Sequence, residues 1–314
     1  MDNMYDVIII GSGPAGLTAA IYTTRASLKT LIIAGEKWGG QLQLTSLVEN
    51  FPGFPEGIQG PDLMTNMRKQ AEHHGAEIRE VSFTKGDFSK QPFTISTDEK
   101  DYQARSVILA SGADARWLGV AGEQERIGRG VSSCATCDAM FFRNKSVFVV
   151  GGGDSAMEEA LVLAKAATSV TLIHRRDSFR ASDIMQQRVR NHPKITLLFN
   201  SEITEIKGEG RVQSALVKNS QTNEIQELAV DGIFVAIGHI PNTKVFSGIE
   251  LDNEGYIKVQ NHYHTNIPGV FTAGDVHDRA YRQAITAAGF GAAAALEAER
   301  WLSTDGIDVD FKAN

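Results

Sequence analysis

Two copies of one local pattern constrain this chain more than any other feature: an apolar strand, a glycine-rich turn, a helix, and a second strand behind it. The first copy runs from residues 5–10 through Gly11-Ser12-Gly13-Pro14-Ala15-Gly16 into a helix over 15–26 and a strand over 28–34. The second runs from 146–150 through Gly151-Gly152-Gly153-Asp154-Ser155-Ala156 into a helix over 156–167 and a strand over 170–173. Glycine turns are common for packing reasons alone. In this full context they read as βαβ dinucleotide-binding units, in which glycines let the backbone approach a pyrophosphate resting at the positive end of the following helix. Ala156 in place of a third glycine is within the fingerprint.

Two further apolar runs, 106–112 and 232–238, each end in a small residue and glycine, and they bracket the second unit. With 314 residues the chain can bury two cores. The expected architecture is therefore α/β, with two Rossmann-like nucleotide-binding domains, one inserted into the other. Residues 1–115 and 244–314 make the outer domain and 116–243 the inserted one, joined by short crossings at 114–117 and 239–243. The tail from Ser303 has no periodicity and is expected to fray.

Cys134 and Cys137, in Cys134-Ala135-Thr136-Cys137-Asp138, are the chain's two cysteines. A structural zinc site would need two more ligands at suitable spacing, so the pair reads as a redox dithiol and no metal is expected. A short helix starting at Cys137 would favour a thiolate. Asp138 can carry the proton that dithiol chemistry requires, or can simply cap a helix. Phe141 and Phe142 read as core residues. The start of the chain is acidic and lacks the basic region and long apolar core of a signal peptide. The apolar stretch at 292–296 is too short to span a bilayer. A cytoplasmic location with no membrane partner is expected, where a disulfide would be catalytic or sensing. The net charge of −7 argues against a nucleic-acid partner.

The second strand of the first unit ends at Ala34-Gly35-Glu36, where Glu36 could meet an adenosine ribose or stand as a solvated loop carboxylate. Gly39-Gly40-Gln41-Leu42 and Glu49-Asn50-Phe51-Pro52-Gly53 are turn-rich. Near the other end, Gly274-Asp275-Val276 follows an apolar strand, and Arg282-Gln283-Ala284 opens an alanine-rich helix whose Gly289 and Gly291 permit close packing. An aspartate there can accept bonds from sugar hydroxyls, and the helix start can stabilise negative charge on a reduced isoalloxazine, which suits a flavin. In the inserted domain the second strand ends in His174-Arg175-Arg176, with Arg180 after it, where an NAD site would carry an acid. Arginines match a 2′-phosphate, so NADPH is the expected nucleotide.

Together, Gly11–Gly16, Cys134 to Asp138, the segment His174-Arg175-Arg176-Asp177-Ser178-Phe179-Arg180-Ala181, and Gly274-Asp275 through Arg282-Gln283-Ala284 resemble the bacterial-type, low-molecular-weight thioredoxin reductases over nearly the whole chain. The resemblance implies three-layer ββα domains, with an NADPH domain inserted into an FAD domain. It also implies a homodimer passing electrons from NADPH through FAD to the Cys134–Cys137 disulfide and on to thioredoxin. By that resemblance FAD is held by Gly13, Gln41, Asn50, Asp275, Arg282 and Gln283; Gly11, Ser12, Pro14, Ala15, Gly16, Gly35, Glu36, Gly40, Leu42, Gly274 and Ala284 are further candidates for the same site. NADPH is held by Gly151, Gly153, Asp154, Ser155, Ala156, His174, Arg175, Arg176 and Arg180, and Asp138 is the acid–base group. Ser111 stands where many relatives carry threonine. Because dithiol and nicotinamide would share one domain and both need the flavin of the other, the inserted domain is expected to swing about its crossings. The competing readings are a relative reducing another disulfide, a ferredoxin-fed flavin reductase, and a non-catalytic redox sensor.

Overall fold

The strand Asp101–Leu109 carries two kinds of pairing. Its first half alternates between burial and exposure and lies antiparallel to Phe93–Thr97. Its second half, from Ser106 to Leu109, is buried on both faces and lies parallel to Val270–Thr272. Met4–Ile10 runs parallel along its other edge. Alternation fits a sheet with one wet face, and continuous apolar residues fit a parallel sheet covered on both sides.

The computed structural model describes residues 3–36, 38–45 and 47–304. In chain order the helices are α1 (Pro14–Arg25), α2 (Gly60–His73), α3 (Ala135–Asp138), α4 (Asp154–Leu163), α5 (Asp183–Arg190) and α6 (Ala284–Ser303). The expected fraying beyond Ser303 lies outside the described residues from 305 onward. The chain divides into two compact units, Met1–Asp114 with Ile240–Asn314, and Ala115–His239. The divisions fall at 114/115 and 239/240, against the 115/116 and 243/244 expected from the sequence. The two crossings, Ala113–Ala115 and His239–Pro241, pair with each other as short strands.

In the first unit the sheet runs Glu77–Arg79, Thr30–Ile33, Met4–Ile10, Asp101–Leu109, Phe93–Thr97 and Phe83–Asp87, with Val270–Thr272 attached to Asp101–Leu109. Alternate side chains leave opposite faces of a strand. Val7, Ile9, Ile32 and Ile108 accordingly join Leu17, Ala20, Ala294 and Ala298 beneath α1 and α6. Ile8, Ile10, Leu31, Ile33, Val107 and Leu109 pack instead with Phe93, Tyr102, Phe246 and Ile249. Full burial of each such aliphatic chain contributes roughly 1.5–3 kcal/mol. Of the two glycines expected to bring α6 close to its neighbour, Gly291 does so, because a Cβ there would overlap the Ala15 carbonyl, whereas Gly289 faces open space.

The second unit repeats the plan. Val131–Ser132, Gly232–Ala236, Ser146–Gly151, Ser169–Ile173 and Ile195–Leu198 form a parallel sheet in that order. Val147 and Val149 pack against Met157, Ala160 and Leu163 of α4. Phe148, Val150 and Ile233 pack against Ile203, Ile206 and Val217 of the antiparallel meander Ser201–Lys207, Ser214–Asn219 and Ile225–Ala229. Strand, glycine turn, helix and strand thus recur as the sequence indicated, with α4 ending at Leu163, short of the expected 167.

Candidate functional site

In the first unit the strand Met4–Ile10 delivers Gly11 to the carboxyl end of the parallel strands with φ 115°, beside the Ala110 carbonyl, where a side chain has no room. Gly16 in turn sits against the Gly11 carbonyl, so the turn and the first coil of α1 pack backbone to backbone. Gly13 caps α1 without a side-chain hydrogen bond, Pro14 occupies the first turn, and the space beside Gly13 is open. The buried Ser12 hydroxyl donates to Ala34 O at 2.9 Å and accepts from Gly39 N–H at 3.0 Å, bracing the two loops that flank the turn. Gly40, Gln41 and Leu42 lie on a short 3-10 helix, Gly40–Leu44, rather than a plain loop, and Gln41 Nε2 donates to the Ala113 carbonyl. Gly35 has φ 77° and Glu36 is exposed at the end of the strand.

Residues far apart in the chain meet at the start of α6. Asn50 Nδ2 donates to Gln283 Oε1 at 3.2 Å, and Gln283 forms a reciprocal capping box with Thr286 ahead of Ala284. Asp278, which the sequence reading did not single out, holds the turn by accepting the backbone N–H groups of Ala280, Tyr281 and Arg282. Arg282 takes φ 49°, an uncommon conformation for a residue with a side chain. Asp275 lies on the turn Gly274–Val276, and its Oδ1 is buried with no hydrogen-bond partner. Burial, reinforced by Asp278 and opposed by Arg282, pushes the Asp275 carboxyl up to about 7. A buried acceptor of this kind costs free energy until a donor meets it. It is therefore suited to a ligand hydroxyl.

In the second unit Gly153 caps α4 without a side-chain hydrogen bond, and Ala156 is buried. The Gly152 carbonyl accepts N–H from Arg180 at 2.8 Å and from Ala181 at 3.2 Å, which docks the basic segment onto the glycine turn. Arg175, Arg176 and Arg180 are exposed, while His174 turns inward. Its ring fills the space a side chain at Gly152 would need and stacks 5.3 Å from the Phe179 ring. Burial lowers the His174 pKa, and Arg176 and Arg180 lower it further. Asp154 Oδ1 accepts both the N–H and the hydroxyl of Ser182, at 2.9 and 2.7 Å, and Ser155 is exposed.

The dithiol is a disulfide, with Cα atoms 5.3 Å apart. The expectation of a helix beginning at Cys137 is corrected: α3 begins at Ala135, with Cys134 as its cap. The reason is local, because Cys134 is extended and its Sγ accepts the Cys137 N–H at 3.2 Å, as a serine cap would. Ser132 Oγ accepts the Cys134 N–H at 3.1 Å. Burial raises the pKa of the Asp138 carboxyl, and a hydrogen bond with Ser132 pulls it the other way. Phe142 is buried as expected, while Phe141 is partly buried. The carboxylate of Glu159, on α4, accepts the Ala135 N–H at 2.6 Å. Nothing in the linear pattern marked Glu159. Ser132, two residues before the first cysteine, was the more visible of the two missed partners.

Among the described residues no group of three or more His, Cys, Asp or Glu is placed to hold a metal ion, and no helix is long and apolar enough to cross a membrane. A family model for pyridine nucleotide-disulphide oxidoreductases matches residues 5–291. A thioredoxin reductase of Mycolicibacterium smegmatis is 54% identical over 302 residues, covering 96% of this chain and 97% of that one. Among solved structures, a thioredoxin reductase from Streptococcus pyogenes MGAS5005 aligns with TM-score 0.92 at 40% identity, covering 97% of this chain and 100% of its own. One from Giardia duodenalis aligns with TM-score 0.91 at 44% identity, covering 96% of this chain and 99% of its own.

Proposed function

The chain belongs to the pyridine nucleotide-disulphide oxidoreductases and, within them, to the thioredoxin reductases, and from that premise we infer how its residues divide the reaction. The activity is NADPH-dependent thioredoxin-disulfide reduction, by way of FAD and the Cys134–Cys137 disulfide. One observation carries the residue-level reading: the disulfide lies beside a carboxyl whose proton affinity burial has raised.

Two features fit the dinucleotide in the first unit. These are the open backbone approach at Gly13 ahead of an uncapped helix, and the unpartnered buried Oδ1 of Asp275. Gly11, Ser12, Gly13, Pro14, Ala15 and Gly16 would meet the pyrophosphate. Gly35 and Glu36 would meet the adenosine ribose. Gly40, Gln41, Leu42, Asn50, Gly274, Asp275, Arg282, Gln283 and Ala284 would hold the remainder of FAD. In the second unit Gly151, Gly153, Asp154, Ser155 and Ala156 would frame the NADPH pyrophosphate, with Arg175, Arg176 and Arg180 on its 2′-phosphate. His174 would act from beneath by packing, since its buried ring supports the glycine turn that Arg180 grips. Bound FAD supplies the exchange between hydride and dithiol chemistry.

Once Cys134 and Cys137 are reduced, a thiolate of the pair attacks a sulfur of oxidised thioredoxin. The second thiol resolves the mixed disulfide, releasing reduced thioredoxin and restoring Cys134–Cys137. Asp138 holds the proton that the pair must gain and give up in each cycle. Its raised affinity keeps that proton closer to neutral pH than an ordinary carboxyl would. We also propose a homodimer in the cytoplasm. The family resemblance favours the dimer, and dependence on NADPH suits a reducing compartment. The test is direct: the purified protein should be yellow, should bleach anaerobically with NADPH, and should turn over oxidised thioredoxin with NADPH in the steady state. Bleaching without turnover would support the sensor instead.

A further inference from the structure

Glu159 has no part in the scheme above, yet its carboxylate bonds within the turn that carries the dithiol. Its Oε2 accepts the N–H of Ala135 at 2.6 Å, short enough for a charge-assisted bond. Ala135 opens α3 between the two cysteines and is fully buried. On the other side of the contact, Met157, Ala160 and Leu163 of α4 are also fully buried, so the backbone that presents Glu159 has little freedom. Two amides of the dithiol turn are therefore assigned. The Cys137 N–H points to Cys134 Sγ, and the Ala135 N–H points to a carboxylate.

The oxidised pair carries no charge at sulfur, whereas its reduction by two electrons and two protons yields thiols of which one can ionise. Amides and helix starts stabilise that thiolate, and a stabilised reduced form makes a dithiol pair more oxidising. A fixed carboxylate has the opposite effect, because like charge disfavours the ionised sulfur. We propose that Glu159 is a positioning residue that holds the Cys134–Cys137 turn through Ala135 and, by its charge, keeps the couple reducing enough to pass electrons onward. The proposal rests on the reading of Cys134–Cys137 as the transfer disulfide.

The test uses the holoenzyme of the wild type and of Glu159→Gln and Glu159→Ala, equilibrated anaerobically in glutathione redox buffers, with free thiols trapped and counted by mass. Glutamine keeps the acceptor and removes the charge. Glu159→Gln should shift the equilibrium about tenfold towards the dithiol, equivalent to about 30 mV for a two-electron couple. Glu159→Ala should shift it the same way and also lose hydrogen-exchange protection at the Ala135 amide, which Glu159→Gln retains. A Glu159→Gln equilibrium equal to that of the wild type, or shifted towards the disulfide, overturns the proposal whatever the turnover rate. If Glu159→Ala does not fold, Glu159→Gln alone decides. Glutathione reports on the couple without any protein partner, so failure here is distinct from failure to turn over thioredoxin.

Discussion

Removing the charge of Asp275 should change the pH dependence of folding in the flavin-free protein, and the size of the change follows from its burial. The carboxyl is raised from 3.8 to about 7. A folded state that binds a proton more tightly than the unfolded chain loses stability as pH rises between the two values. The penalty is absent below about pH 4, grows through pH 4–7 and is complete above 7. About three units at 1.36 kcal/mol each set an upper limit of about 4 kcal/mol, and screening of the partly exposed residue brings the expected value to about 2–4 kcal/mol. Asp275→Asn removes this term. In urea unfolding of the flavin-free proteins, the variant should match the wild type near pH 4 and exceed it by that amount near pH 8. Adding FAD to the wild type should flatten its profile, because a ligand hydroxyl then meets Oδ1, while FAD affinity of the variant falls. Parallel profiles for wild type and variant from pH 4 to 8 would refute the argument that burial raises the proton affinity of Asp275 in the folded chain.

Asp138→Asn should slow thioredoxin reduction by roughly 10²–10⁴-fold while FAD stays bound, and a wild-type rate at every pH would leave Asp138 as a structural residue only. Replacing Arg175 and Arg176 by alanine should raise KM for NADPH far more than for NADH, each lost charged hydrogen bond being worth roughly 1.5–3 kcal/mol. Equal effects on both nucleotides would remove the 2′-phosphate assignment. Cys134→Ser or Cys137→Ser should abolish disulfide transfer and leave the flavin spectrum in place, as read by absorbance and by NADPH oxidation with thioredoxin. Gly152→Ala should push against the buried His174 ring and weaken NADPH binding without changing FAD content, and an unchanged Kd for NADPH would show that the turn tolerates the extra methyl.

Much of this protein is determined by interactions between near neighbours in the chain, and those parts were legible in the sequence. The glycine turns follow in part from positions where the neighbouring backbone leaves no room for a side chain, as at Gly16 against the Gly11 carbonyl, whereas Gly11 itself is crowded by the Ala110 carbonyl of a strand far along the chain. The parallel strands follow from unbroken apolar runs that require cover on both faces, and the dithiol follows from two cysteines three residues apart. Tertiary structure decided what depends on partners distant in the chain. Asn50 finds Gln283 across 233 residues, and Glu159 finds Ala135 across 24. His174, last of the strand and first of a basic run, turned inward although the sequence reading grouped it with the arginines. Its ring fills the hollow over Gly152 and stacks on Phe179, while Arg175 and Arg176 remain in water. The antiparallel meander over 201–229 was not singled out in the sequence, because short alternating strands acquire a buried face only when a second layer exists to cover it. Local sterics and chain order act before folding is complete, whereas burial, and with it the raised proton affinities of Asp138 and Asp275, exists only once distant segments have excluded water from the same place.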